Sequence, residues 1–133
     1  LAALGEAWSV AKKSNLDLKK TFDGIAMSSG NSFVHETESK VILNGSYNIN
    51  FTMDLVEKDM SLFNELSKKL GLDLEISPYV LNIFKDAKKK FGSRAWSSMV
   101  VKRLEDKYNI NFRALGFPEE LIDNEPEEKG YEI

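Results

Sequence analysis

Lys58 and Asp59 stand side by side in the stretch Phe51-Thr52-Met53-Asp54-Leu55-Val56-Glu57-Lys58-Asp59-Met60. Together they offer a cation and a carboxylate, the groups from which orienting and proton-transfer sites are built. The acid falls where helical geometry would not place it. At about 100° per residue, Met53, Val56, Met60, Phe63, Leu66 and Leu70 trace one apolar stripe, and Asp59 lies inside it between Leu66 and Leu70. Lys58 lies at the margin of the stripe, near Leu62, while Asp54, Glu57, Glu65, Lys68 and Lys69 gather on the opposite face. A carboxylate within a buried stripe needs a hydrogen-bonding partner or a task. Periodicity alone leaves both readings open.

The other reactive residue types form weaker patterns. His35 is the only histidine and has Glu36 and Glu38 beside it. Without further ligands at workable spacing it is expected to be a surface or half-buried structural residue, and no metal site is expected. Lys85, Lys88, Lys89 and Lys90, with Lys102 and Arg103 nearby, form a basic cluster at the end of an expected helix. There cations either complement the helix dipole or contact a phosphate. Ser28, Ser29 and Ser32 surround Gly30 and Asn31, a loop that either caps a helix or offers donors to a carboxylate.

Helices must position these groups. Leu1, Leu4, Trp8 and Ala11 recur at helical spacing, and Asp17 and Ser32 are expected N-caps for the next two helices. Asn44-Gly45 reads as a helix stop rather than a hairpin turn, because its flanks do not alternate. A long helix from Thr52 to Leu70 follows, then one opening at Ser77-Pro78 and ending before Gly92, then a last one using Trp96, Val100, Leu104 and Tyr108. The fold class is all-α. Residues 1–108 read as the helical domain, and residues 109–133, with an acidic run after Phe117-Pro118, as an extended or partly disordered tail.

Four segments in order resemble the C-terminal domain of the β-hydroxyacid dehydrogenases, the family of 3-hydroxyisobutyrate dehydrogenase and tartronate semialdehyde reductase, related to 6-phosphogluconate dehydrogenase. Glu6-Ala7-Trp8 through Leu16-Asp17 is similar to the family's Glu-Ala helix and turn, and Met27-Ser28-Ser29-Gly30-Asn31-Ser32 to its Ser-Gly-x-Ser loop. Phe51 to Leu62 is similar to its phenylalanine and Lys-Asp helix, and Leu70-Gly71-Leu72-Asp73-Leu74-Glu75 to its Gly-Val-Pro-Leu-Pro turn, with Asp73 and Glu75 replacing the prolines.

The resemblance implies hydride transfer between NAD or NADP and a small hydroxyacid or semialdehyde. It implies supporting catalytic roles for Asp59 and Lys58, cofactor contact by Lys58, and substrate contact by Phe51, Ser29 and Gly30. It also implies pairing of subunits as a homodimer or higher homo-oligomer. No Gly-x-Gly-x-x-Gly follows an expected strand, and the family's Gly-rich segment with the principal catalytic lysine has no counterpart here. The expectation is a substrate-cleft and dimerisation domain, truncated within its interdomain helix and inactive alone. The alternative is a free-standing helical interaction module.

Composition narrows the remaining classes. The 133 residues suit one core, and 42% hydrophobic content can fill it. There are no cysteines, so no thiolate metal site or disulfide is available, and a cytoplasmic setting is expected. A net charge of −3 argues against a nucleic-acid partner, and no apolar run suggests a membrane span.

Overall fold

The computed structural model describes residues 1–122, and the acidic stretch 123–133 lies outside the described residues. Every regular element in it is a helix, as expected for the all-α class. α1 (Ala2–Lys13), α2 (Leu18–Ala26), α3 (Phe33–Asn44), α4 (Met53–Lys69) and α5 (Ile76–Phe91) are followed by a 3-10 segment (Ser97–Val101) that runs into α6 (Lys102–Tyr108). No helix among the described residues is long and apolar enough to cross a membrane.

Local chemistry accounts for the boundaries. The Asp17 carboxylate accepts the Lys20 amide at 3.0 Å, and the Ser32 hydroxyl oxygen accepts the His35 amide at 3.1 Å, each satisfying an orphan donor at a helix start. Gly45 closes α3 at φ 100°, and a β-carbon there would run into the Arg113 side chain. Helix α5 opens one residue before the expected Ser77 cap, with Glu75 at the N-cap and no side-chain cap bond. Pro78 sits in the first turn, where a missing N–H costs no helical bond.

The core gathers around Trp8, with Ile42 and Leu43 of α3, Met53 at the start of α4, Val100 and Val101 of the 3-10 segment, and Phe112. Trp8 is fully buried, and Leu1 and Leu4 on the same face of α1 pack against the core. His35 also departs from expectation and is fully buried, between Trp8 and Phe22. Its Nε2 donates to the Phe22 carbonyl at 2.9 Å, which leaves Nδ1 to accept from the Ser39 hydroxyl at 3.2 Å. A ring satisfied on both edges is a structural residue.

Beyond α6 the chain turns at Asn109 (φ 50°) and returns along α3. A buried carboxylate anchors it. Glu105 accepts the Tyr47 hydroxyl, the Phe112 amide at 2.6 Å and Arg113 Nη1 at 2.9 Å. Arg113 Nη2 also donates to the Tyr47 hydroxyl at 3.1 Å. Burial, reinforced by the Glu105 carboxylate, pushes the Tyr47 hydroxyl far above its ordinary range, so it remains a neutral donor. Farther along, Asn44 donates to the Phe117 carbonyl at 3.0 Å, and Phe117 packs edge-on against Phe22.

A buried charge that loses its partners is costly, and the same holds for donors that lose a buried charge. Glu105→Ala is therefore expected to destabilise the chain by roughly 3–5 kcal/mol in urea unfolding, and Tyr47→Phe by about 1–2 kcal/mol. A Glu105→Ala loss below about 1 kcal/mol would contradict the anchoring role.

Candidate functional site

The start of α4 is bound to the turn that follows α5, mostly through backbone groups. Thr52 pairs with Trp96 in an antiparallel bridge. The Met53 amide donates to the Ala95 carbonyl at 2.9 Å and the Asp54 amide to the Ser93 carbonyl at 3.0 Å, while the Ser97 amide donates to the Phe51 carbonyl at 2.8 Å. Amides that a capping side chain normally satisfies are thus taken up by a neighbouring loop. The Thr52 hydroxyl is released from capping and donates to the Asp54 carboxylate. That carboxylate also accepts the Leu55 amide at 3.1 Å and Arg94 Nη1 at 3.2 Å. The hydrogen bond from Thr52, followed by that from Arg94, holds the Asp54 carboxyl below the usual carboxylate range. One turn on, Lys88 of α5 donates to Glu57 at 2.6 Å and ties the two helices together.

This clamp presents the Lys-Asp pair. Phe51 is partly exposed beside the clamp, and Lys58 Nζ lies 3.1 Å from Asp59 Oδ1 with side-chain exposures of 60% and 55%. Asp59 is therefore not a buried acid. The apolar side of α4 is wider than the face it buries: Met53, Val56 and Met60 turn inward together with Asn64 and Ser67, while Phe63, Leu66 and Leu70 turn outward with Asp59. Ser67 and the amide nitrogen of Asn64 bond to their own helix, while Asn64 Oδ1 is buried without a partner among the described residues. Asn64 Nδ2 donates to the Met60 carbonyl at 2.7 Å, and the Ser67 hydroxyl to the Asn64 carbonyl at 2.9 Å. Phe63, expected in the core, is exposed for the same reason. Asp59 has no buried structural partner and faces solvent with Lys58.

The Ser28–Ser32 loop is built separately. The Ser28 hydroxyl donates to the Ile25 carbonyl at 2.9 Å and accepts the Gly30 amide at 3.1 Å, and Ser32 is committed to capping α3. Ser29 and Gly30 are exposed, and Gly30 helps line a groove of about 340 Å³ with Leu1, Leu4, Ile25, Ser28 and Ser32. That groove borders α1 and α2, whereas Phe51 adjoins the turn after α5 and Lys58 and Asp59 lie on the exposed side of α4. Phe51, Lys58 and Asp59 do not line the groove that Gly30 borders.

The basic cluster is largely spent on internal ion pairs. Lys88 meets Glu57, Lys90 meets Asp106 at 2.5 Å, Lys102 approaches the same acid at 4.0 Å, and Arg103 approaches Asp86 at 3.9 Å. It braces α5 against α4 and α6. No group of three potential metal-ligating side chains occurs among the described residues.

The clamp residues Thr52, Asp54 and Arg94 did not stand out in the sequence. Thr52 read only as the start of the long helix and Asp54 as part of its solvated face, and Arg94 was not singled out. The available signal was Thr-x-Asp at a helix start, with an arginine just past the glycine that ends the next helix.

The all-helical fold has counterparts among known proteins. Residues 1–104 match the family described as "NAD-binding of NADP-dependent 3-hydroxyisobutyrate dehydrogenase". The L-threonate dehydrogenase of Haemophilus influenzae is 28% identical over 102 residues, covering 77% of this chain and 34% of that protein. Its counterpart in Escherichia coli K12 is 26% identical over the same share of each chain. A crystal structure of 3-hydroxyisobutyrate dehydrogenase from Salmonella typhimurium superposes with a TM-score of 0.71 at 26% identity, covering 77% of this chain and 36% of that one. The chain belongs to the 3-hydroxyisobutyrate dehydrogenase family. It spans about a third of the length of the curated relatives it matches. The family match ends at Leu104, so the Glu105 anchor and the returning arm lie beyond it.

The clamp generates a pH prediction. A carboxyl whose folded pKa is depressed stabilises the fold above its unfolded pKa, and that contribution is lost as pH falls through the folded value. Asp54→Asn should therefore lower the melting temperature at pH 7, with the difference from wild type shrinking as pH falls below the ordinary value of 3.8. A difference that is constant across the acid range would contradict a charged clamp.

Proposed function

We propose that this chain forms one wall of the substrate cleft of an NAD(P)-dependent β-hydroxyacid dehydrogenase, transferring hydride between nicotinamide and a small hydroxyacid or its semialdehyde. The observation that carries the reading is the solvent-facing Lys58–Asp59 pair on a helix whose start is held to the turn after α5 by three backbone hydrogen bonds and by Arg94. An exposed, adjacent cation and carboxylate on a rigid support are of little use to the fold, where such pairs contribute at most about 1 kcal/mol. They suit a surface completed by another part of the enzyme.

The residues present fit part of a nicotinamide site. The Lys58 ammonium, engaged only by Asp59 among the described residues, suits an anionic or carbonyl oxygen of cofactor or substrate. The bound nicotinamide would supply the hydride, and the protein its binding, orientation and charge. In this reading Asp59 orients Lys58 and the donors facing it, and Phe51 excludes water beside the substrate. The general acid/base and the phosphate cradle come from outside this chain, whose sequence holds no Gly-x-Gly-x-x-Gly. The chain by itself is inactive.

The test uses an intact enzyme that includes this chain. Asp59→Asn and Lys58→Ala should each lower kcat about 10²-fold. Because both side chains are exposed, neither change should shift stability by more than about 0.5 kcal/mol. Turnover near wild type in both variants would remove the site assignment.

A further inference from the structure

Arg94 combines a pinned backbone with a solvent-facing side chain. It stands between Ser93 and Ala95, whose carbonyls accept the Asp54 and Met53 amides, so its own backbone belongs to the junction that holds α4. Its side chain is nevertheless 76% exposed. Only Nη1 is engaged, with Asp54 Oδ2 at 3.2 Å and the Thr52 hydroxyl at 3.5 Å. Among the described residues nothing accepts from Nε or Nη2. That unused edge of the guanidinium is a planar fork of two donors, the geometry that matches a carboxylate or a phosphate bidentately. Asp54 cannot take more of it, because the Thr52 hydroxyl and the Leu55 amide also bond to the same carboxylate.

A second cation stands one turn away. Lys58 follows Asp54 by four residues on α4, a spacing that places two side chains on one helix face with β-carbons about 5–6 Å apart. Its ammonium is 60% exposed and meets only Asp59, which leaves it donors to spare. Along this face the charges therefore run Arg94, Asp54, Lys58, Asp59, alternating in sign and cancelling in sum. Such a row has no broad field to offer; what it offers is directed donors on two cations at either side of a carboxylate already supplied. We propose that Arg94 and Lys58 jointly bind an oxyanion of the molecule that enters the cleft, a carboxylate or a phosphate held by the Nε–Nη2 edge of Arg94 and by the Lys58 ammonium. The inference rests on the cleft reading above and deepens it by naming an anion as the ligand's handle and Arg94 as a binding residue. Arg94 lies outside the four segments that carry the family likeness.

Phenylglyoxal, which modifies accessible guanidinium groups, tests this on an intact enzyme that includes this chain, with adducts assigned to each arginine by mass spectrometry. Malonate is the carboxylate probe and ADP-ribose the phosphate probe, and sodium chloride at equal ionic strength is the control. At about four times its Kd, one of the probes should slow modification of Arg94 about fivefold, leaving Arg103 and Arg113 unaffected. Protection by malonate assigns the site to the substrate's carboxylate, and protection by ADP-ribose to a phosphate of the cofactor. Lys58→Ala should raise the protecting concentration about tenfold, the scale of one hydrogen bond to a charged group. Equal protection by sodium chloride, or none by either probe, would overturn the inference, and protection unchanged in Lys58→Ala would refute a shared site. Loss of turnover in Lys58→Ala and Asp59→Asn with Arg94 unprotected would sink this inference alone and leave the cleft reading standing. Protection of Arg94 with turnover near wild type in both variants would support the anion site and remove the hydride-transfer reading.

Discussion

The backbone bonds that fasten the start of α4 to the turn after α5 are the constraint on which the rest depends. The orphan amides of Met53 and Asp54 donate to the carbonyls of Ala95 and Ser93 respectively, and the Phe51 carbonyl accepts from Ser97. An N-terminus held this way cannot rotate or slide without exposing several buried amides at once. The rotation of α4 follows. Met53 points into the core, Asn64 and Ser67 face α5, and Lys58, Asp59 and the apolar row from Leu62 to Leu70 point outward. A helix free to choose its rotation by hydrophobicity would bury that row. The clamp and the α5 contact prevent it.

A second anchor, at Glu105, secures the opposite side of the core. By drawing Tyr47, the Phe112 amide and Arg113 onto one buried carboxylate, it fixes the link between α3 and α4 from one direction and the returning arm from the other. The Ser98 hydroxyl adds a bond to the Tyr47 carbonyl at 2.6 Å, so the 3-10 segment is held by the same cluster. The turn that clamps α4 leads directly into this segment, so the two anchors brace each other. The family match ends one residue before Glu105. The arm it secures packs back onto the helical core, where Phe112 is fully buried.

The helices were legible because their signals are local. Asp17 and Ser32 cap where their types and spacing indicated, and Gly45 stops α3 with a positive φ that a side chain would resist. The family likeness was legible from short segments in order. Helix rotation was harder to read. An apolar stripe shows that a helix has a hydrophobic side, but not how much of that side the neighbours cover. Asp59 was therefore misplaced in the interior, and Phe63 with it. His35 looked polar and isolated, yet its partners, the Phe22 carbonyl and Ser39, became visible only once α2 and α3 were packed together. Glu105 gave no signal because Tyr47 is 58 positions away, whereas helical patterning speaks only to near neighbours.

Amide hydrogen exchange at Met53, Asp54 and Ser97 tests the clamp most directly, since each donates to a carbonyl across the α4 junction. Unpaired N-terminal helix amides exchange almost freely, whereas amides locked into a cooperative junction exchange only through a larger opening. Protection of about 10³-fold or more at all three, lost together as denaturant is added, is the expected result. Near-unprotected exchange at these amides, with the amides of Ile42 and Leu43 still slow, would show that α4 is not pinned and that the outward placement of Lys58 and Asp59 has another cause.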